Sequence, residues 1–175
     1  MEVIGEEGSF IYFKQNACRR TIFYKDRKYF VSIPTLIFSA RFFKKSIDFL
    51  DLDMLYGFVY LDGRFFNIPL KNIFLTGSIC LPNVYSTKYY NINDFIEDIG
   101  KNFWMSSFKD CSFSSVHKMY EERGYSISDL NLWEKQTKMD KKWIPAPDDL
   151  IEFNVKNNGD CVFGTLPSKE FLKCI

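Results

Sequence analysis

The sequence holds a single histidine, His117, and its five cysteines (Cys18, Cys80, Cys111, Cys161 and Cys174) lie far apart, with no Cys-x-x-Cys pair. Zinc sites are built from closely spaced thiolates and imidazoles, so no metal is expected. No Gly-rich phosphate loop is present. Leu61-Asp62-Gly63-Arg64 reads as a hairpin turn, so no cofactor is expected and ATP would be handled by another protein. Net charge is only +1, and the basic pairs Arg19-Arg20, Lys44-Lys45 and Lys141-Lys142 are short. Neither feature forms a broad nucleic-acid surface. No apolar run reaches membrane-spanning length. The acidic start Met1-Glu2-Val3-Ile4-Gly5-Glu6-Glu7 lacks a secretory leader pattern. Odd-numbered, scattered cysteines fit a reducing compartment, and a cytoplasmic location is the expectation.

What the sequence does have is aromatic bulk. Among 175 residues there are 19 Phe and 10 Tyr, and 46 % of the chain is apolar. That excludes a disordered chain and points to one domain over residues 1–175 with an ordinary core. Phe10, Tyr12 and the run Thr21 to Tyr24 have strand composition, and Lys25-Asp26-Arg27 marks a turn into Lys28 to Ile33. Leu36 to Phe42 and Ser46 to Leu50 are further extended candidates. Phe58-Val59-Tyr60-Leu61 and Arg64-Phe65-Phe66-Asn67-Ile68 flank Asp62-Gly63, a strong hairpin signal. Beyond the Pro82-Asn83 turn the period changes. Ile92, Phe95, Ile96, Ile99, Phe103 and Trp104 recur at helical spacing, with Asn91 or Asn93 as cap. A short helix is expected within Ser114 to Arg123, stopped by Gly124. Another carries Leu130, Leu132 and Trp133, capped by Ser126 or Ser128. Ile151, Phe153 and Val155 alternate ahead of Asn157-Asn158-Gly159-Asp160 and Cys161-Val162-Phe163, which predicts a C-terminal hairpin. The fold class is therefore α+β.

Between the Asp62-Gly63 hairpin and the first helix lies Asn72-Ile73-Phe74-Leu75-Thr76-Gly77-Ser78-Ile79-Cys80-Leu81. Thr76-Gly77 is a turn signal. If Ser78 to Leu81 is extended, Ile79 and Leu81 share one face and Cys80 takes the other. Cys80 is then either a nucleophile presented from a rigid edge or a buried core filler.

This stretch resembles the active-site segment of ubiquitin-conjugating enzymes. In that family a His-Pro-Asn tripeptide precedes the catalytic cysteine. Asn72 and Gly77 stand at the family's offsets of eight and three residues before Cys80, while Leu70 and Lys71 occupy the His and Pro places. The departure fits the divergent bacterial members, of prokaryotic family D type. Those are also similar in Ile33-Pro34-Thr35-Leu36-Ile37-Phe38 and in Asn102-Phe103-Trp104-Met105-Ser106-Ser107-Phe108. The resemblance implies a ubiquitin-conjugating-like fold: an antiparallel β-meander packed against a helix. Its core spans about residues 9–110, and residues from about 111 to 175 add helical segments and a hairpin as an extension.

It also implies an activity. Cys80 would carry a ubiquitin-like protein as a thioester and pass it to an amine of a protein substrate. Asn72 would donate to the oxyanion of the tetrahedral intermediate. An activating enzyme and the ubiquitin-like protein would be partners. Asn72 has a second, structural role open to it, its side-chain amide holding the loop before Cys80 by bonding backbone groups. The missing His-Pro leaves a catalytically inactive scaffold as the alternative function. A structural protein sharing the motif by chance is a third. A Cys80–His117 hydrolase pair is disfavoured because His117 falls in a polar helix expected to be exposed. Asp110 and Ser106-Ser107 are read as groove lining near Cys80 or as helix-end caps, and Cys111 as a resolving thiol or a core filler.

Overall fold

The computed structural model describes residues 1–45, 49–81, 87–106, 108, 115–154 and 166–168. Eight strands come first: β1 (Glu2–Glu7), β2 (Phe10–Gln15), β3 (Cys18–Tyr24), β4 (Arg27–Ile33), β5 (Leu36–Lys45), β6 (Leu50–Leu61), β7 (Arg64–Asn67) and β8 (Lys88–Tyr89). Helices α1 (Ile92–Met105), α2 (Val116–Glu122) and α3 (Leu130–Met139) follow. The main sheet is antiparallel, ordered β1-β2-β5-β6-β7, with β8 also on β6. The hairpin β3–β4 forms a sheet of its own. The chain is thus mixed α+β.

Local chemistry accounts for most of these elements. Two of the tight hairpins, β3–β4 and β6–β7, turn on two residues of positive φ, which the right-handed twist of the flanking strands favours. Asp62 and Gly63 have φ of 50° and 74°, and Lys25 and Asp26 have φ of 46° and 61°. Alternation along the strands separates the two faces of the main sheet. Ile11, Phe13, Phe38, Phe42 and Leu55 face the helices, whereas Phe10, Met54, Tyr56, Phe58 and Phe65 form a second cluster with Phe153 and Leu166. The buried stripe of α1 (Phe95, Ile96, Ile99, Phe103 and Trp104) meets the first face edge-on. Phe13–Phe95 ring centroids are 6.0 Å apart and Phe38–Phe103 centroids 5.3 Å, both T-shaped, a favoured aromatic geometry. Asn91 caps α1 by accepting from the Asp94 N–H.

The β3–β4 hairpin is stitched to α3 by side chains that satisfy the edge of β4. Glu134 Oε1 accepts the Phe30 N–H at 2.8 Å, Thr137 Oγ1 accepts the Ser32 N–H at 3.0 Å, and Trp133 Nε1 donates to the Ser32 carbonyl at 3.0 Å. The Phe30 N–H bond, aided by Lys138 and Arg27, holds the Glu134 carboxyl below its usual range. A depressed native pKa gives stability that is full above the unfolded value, near 4.5, and is lost as pH falls through the native one. Glu134→Gln keeps an acceptor but not the charge. Because charged acceptors bond more strongly, the variant is expected to be about 1 kcal/mol less stable at pH 7. It should also lose less stability between pH 5 and pH 3. Urea midpoints across that range check it, and parallel wild-type and variant curves would refute the assignment.

Two expectations need correction. The cap of α3 is Asp129, which accepts from the Asn131 and Leu132 N–H groups; Ser126 and Ser128 instead lie in a 3-10 turn just before it. His117 is buried, not exposed. Residues 151–153 run along the free edge of β7, through Asn67 N–H to the Ile151 carbonyl and Phe153 N–H to the Phe65 carbonyl, both 2.9 Å. The turn and return half of the expected C-terminal hairpin lie outside the described residues, as do Ser46 to Asp48, Pro82 to Ser86, Ser107, Asp110 and Cys111. Tyr120 Oη fastens the added edge, donating to the Asn67 carbonyl and accepting the Ile151 N–H, each at 2.8 Å. Burial pushes this phenol upward, which keeps it a donor.

Candidate functional site

Strand β6 builds the site. One of its edges is covered by β5 from Leu50 to Val59. The other edge receives three short segments in turn: β7 beside Phe58–Leu61, the 77–79 segment beside Leu55–Gly57, and β8 beside Leu50–Asp51. The middle segment is anchored by Gly57 N–H to the Gly77 carbonyl at 2.9 Å and Ile79 N–H to the Leu55 carbonyl at 2.8 Å. Cys80 therefore leaves the sheet between two paired segments of one edge.

The loop closes on itself as a narrow ladder. Ile73 bridges Ile79, Phe74 N–H donates to the Ser78 carbonyl, and Cys80 N–H donates to the Asn72 carbonyl, the latter two at 2.9 Å. Ile73 and Ile79 are buried in the main core, as is Leu81. Asn72 and Cys80 flank the Ile73–Ile79 bridge, joined by that one backbone bond. Cys80 is partly exposed, as the alternation Ile79–Cys80–Leu81 requires. The ladder turns at Leu75-Thr76-Gly77. Gly77 has φ of 81°, and a Cβ there would lie 2.4 Å from Phe58 Cε1. Beside it, Thr76 Oγ1 and Ser78 Oγ are 2.9 Å apart.

The positions that carry His-Pro in the resembled family have other work here. Leu70 is buried in the core, and Lys71 Nζ sits 4.4 Å over the Tyr24 ring, tying the loop to the β3–β4 hairpin.

Asn72 is buried, with 3 % of its surface exposed, yet its amide is under-bonded. Nδ2 donates to Ser106 Oγ at 3.5 Å, a long bond. Among the described residues Oδ1 has no hydrogen-bond partner. A buried acceptor without a partner costs about 1–3 kcal/mol, so this one calls for an explanation. Ser106, the residue that closes α1, donates its own hydroxyl hydrogen to the Phe103 carbonyl at 2.8 Å. Ser106 is thus both a helix-end cap and a neighbour of the site. The Asn72–Ser106 contact was not legible as a pair in the sequence, since 34 residues separate them. The bridge from Phe74 to Ser115, at the start of α2, was not legible either.

His117 takes no part in this arrangement. Nε2 donates to the Ser128 carbonyl at 3.0 Å, and Nδ1 lies 3.4 Å from Glu121 Oε1. It lines a cleft with Tyr24, Tyr29, Lys71 and Asp129, and Cys80 is not among the described lining residues. Among the described residues no group of three or more His, Cys, Asp or Glu side chains is placed to hold a metal ion. No helix among them is long and apolar enough to cross a membrane.

No family model matches this chain, and comparison with curated proteins and with solved structures likewise finds no match.

What the arrangement offers chemically is a partly exposed cysteine whose N–H bonds the backbone of an asparagine with unfilled hydrogen-bonding capacity in its amide. A thiolate is a nucleophile toward acyl carbon. An amide N–H that reaches the reacting carbonyl can stabilise the oxyanion that such an attack creates.

Proposed function

We propose that this chain is a conjugating protein of ubiquitin-conjugating type, with Cys80 carrying a ubiquitin-like protein as a thioester and Asn72 assisting its transfer to an amine of a protein substrate. In the loading step the Cys80 thiolate attacks the donor thioester carbonyl, and the donor's carbon–sulfur bond breaks to release its thiolate. In the transfer step an amine attacks the Cys80 thioester and the carbonyl oxygen becomes an oxyanion. The intermediate collapses with release of the Cys80 thiolate and of a proton to solvent. Adenylation of the modifier belongs to a separate activating enzyme.

The observation that carries this reading is the pair itself, a partly exposed Cys80 whose N–H bonds the backbone of a buried, under-bonded Asn72. The order of elements supports it further: the antiparallel run β5-β6-β7, then the Cys80 loop, then a helix packed on the sheet, is the order the resemblance implies. Two observations favour the scaffold alternative: Asn72 is buried, and Leu70-Lys71 replace His-Pro.

A minimal acyl donor separates the two without an activating enzyme. The chain is incubated with the 2-mercaptoethanesulfonate thioester of acetyl-glycyl-glycine, digested, and its peptides are weighed. The expected result is an acyl adduct on the Cys80 peptide that thiol reductant removes and that free lysine discharges faster than it does for the urea-unfolded chain. Adducts spread evenly over the cysteines, or lysine discharge no faster than in the unfolded chain, would leave the scaffold.

A further inference from the structure

Asn72 is planar and nearly symmetric in shape, so packing alone does not decide which end of its amide faces which neighbour. Rotation of an amide about its last torsion is broad and roughly two-fold. Polar neighbours decide it. A serine hydroxyl has one hydrogen and two acceptor lone pairs. In Ser106 the hydrogen goes to the Phe103 carbonyl at 2.8 Å, so toward Asn72 the hydroxyl presents only an acceptor. That acceptor takes an N–H of Asn72 Nδ2 at 3.5 Å. The oxygen end is thereby turned away, where it finds no partner among the described residues.

We propose that Ser106 is a positioning residue for Asn72: its hydroxyl, tethered to the last turn of α1, fixes the amide with its N–H end held and its second N–H left for the oxyanion. This rests on the reading of Cys80 and Asn72 given above. The tether is firm at its far end, because Phe103 is fully buried and packs edge-on against Phe38, Trp104 and Phe108, with centroids 5.3, 4.7 and 5.6 Å away. It is slack at its near end. A long resting bond of this kind is what a site shows before the reacting group arrives and draws the geometry in. The end of α1 is therefore a working part of the site, reached through space from a residue distant in the chain.

The test uses the full chain with Ser106→Ala, Ser106→Thr, Asn72→Ala and the Ser106→Ala/Asn72→Ala double variant, each acylated with the acetyl-glycyl-glycine thioester and discharged with free lysine. Ser106→Ala is expected to acylate at the wild-type rate and discharge about tenfold more slowly, equivalent to about 1.4 kcal/mol at the transition state. Ser106→Thr, which keeps the hydroxyl, should return discharge to within about twofold of wild type. In the Asn72→Ala background Ser106→Ala should change nothing further, because the two act as one unit. Wild-type discharge in Ser106→Ala, or an equal slowing with and without Asn72, overturns the assignment.

A second measurement stands apart from acyl transfer. In 15N-labelled protein, Ser106→Ala should shift the Asn72 side-chain amide resonances and speed their exchange with water, and Ser106→Thr should not. If the wild-type chain takes no acyl group, the reading of the site falls and the amide spectrum alone decides whether Ser106 holds Asn72. Unmoved resonances refute that hold.

Discussion

Asn72→Ala is expected to load an acyl group on Cys80 normally and to pass it to lysine roughly 10²–10³ times more slowly, the usual cost of removing one oxyanion donor. The two steps separate because they make different demands. Loading from an activated thioester needs an accessible thiolate, and Cys80 is partly exposed whichever residue stands opposite it. Transfer to an amine passes through a poorer leaving-group balance and depends more on stabilising the tetrahedral oxyanion. The variant should fold well. Asn72 contributes one long hydrogen bond and one buried oxygen without a partner among the described residues, so its removal sacrifices little and relieves a desolvated acceptor. Stability within about 1 kcal/mol of wild type is the expectation. Single-turnover mass spectrometry of loading and discharge measures both rates, and Cys80→Ala, which should give no adduct at that peptide, is the control. Discharge within twofold of wild type would sink the oxyanion role. The backbone bond from the Cys80 N–H to the residue 72 carbonyl would survive the substitution and keep the loop closed.

Gly77→Ala should be the most damaging small substitution in the loop, costing about 2–4 kcal/mol. Two penalties add. At a φ of 81° an alanine is in the left-handed region that side chains disfavour. Its Cβ would also stand 2.4 Å from Phe58 Cε1 and 2.7 Å from Cζ. The ring has little room to retreat, since Phe58 is buried and packed edge-on against Phe153 and Phe65, with centroids at 4.7 and 6.0 Å. Nor does the backbone yield easily. The Gly77 carbonyl accepts the Gly57 N–H and the Gly77 N–H donates to the Phe74 carbonyl. A fall in Tm of about 5–15 °C follows for a chain of this size. Gly63→Ala is the matched control, with φ of 74° but nothing within 4 Å of the added carbon. Its loss should be about 1 kcal/mol. Equal losses at the two positions in calorimetry would show that backbone strain alone, and not the Phe58 ring, demands glycine at Gly77.

The readable parts of this chain are those decided by neighbours in sequence. The Asp62-Gly63 turn, the apolar stripe of α1 and the Asn91 cap depend on residues within one turn of each other, and all three stand as the pattern implies. The Thr76-Gly77 turn was legible for the same reason: Gly77 has φ of 81° and reverses the chain there. Distant partners were not legible. His117 sits in a polar stretch, yet the Ser128 carbonyl and the chain that follows α2 bury it. Ser126 and Ser128 look like caps, but a 3-10 turn uses up both and passes the role to Asp129. Ile151 to Phe153 alternate as a strand, but nothing in their pattern names β7 as the partner. The Ser106 hydroxyl belongs to the same class.

Because the Cys80 loop shares its hydrogen bonds with the middle of β6, it has no freedom to open by itself. Releasing the Gly77–Ile79 backbone means breaking the Gly57 and Ile79 N–H bonds, and both sit inside a strand already paired on its other side. In amide exchange, the Ile79 proton should therefore leave with the protons of β5 and β6, as one cooperative unit, and not with those of surface turns. A thiol mounted this way moves only with the sheet, and under the proposed function any gate on its chemistry would come from what approaches it.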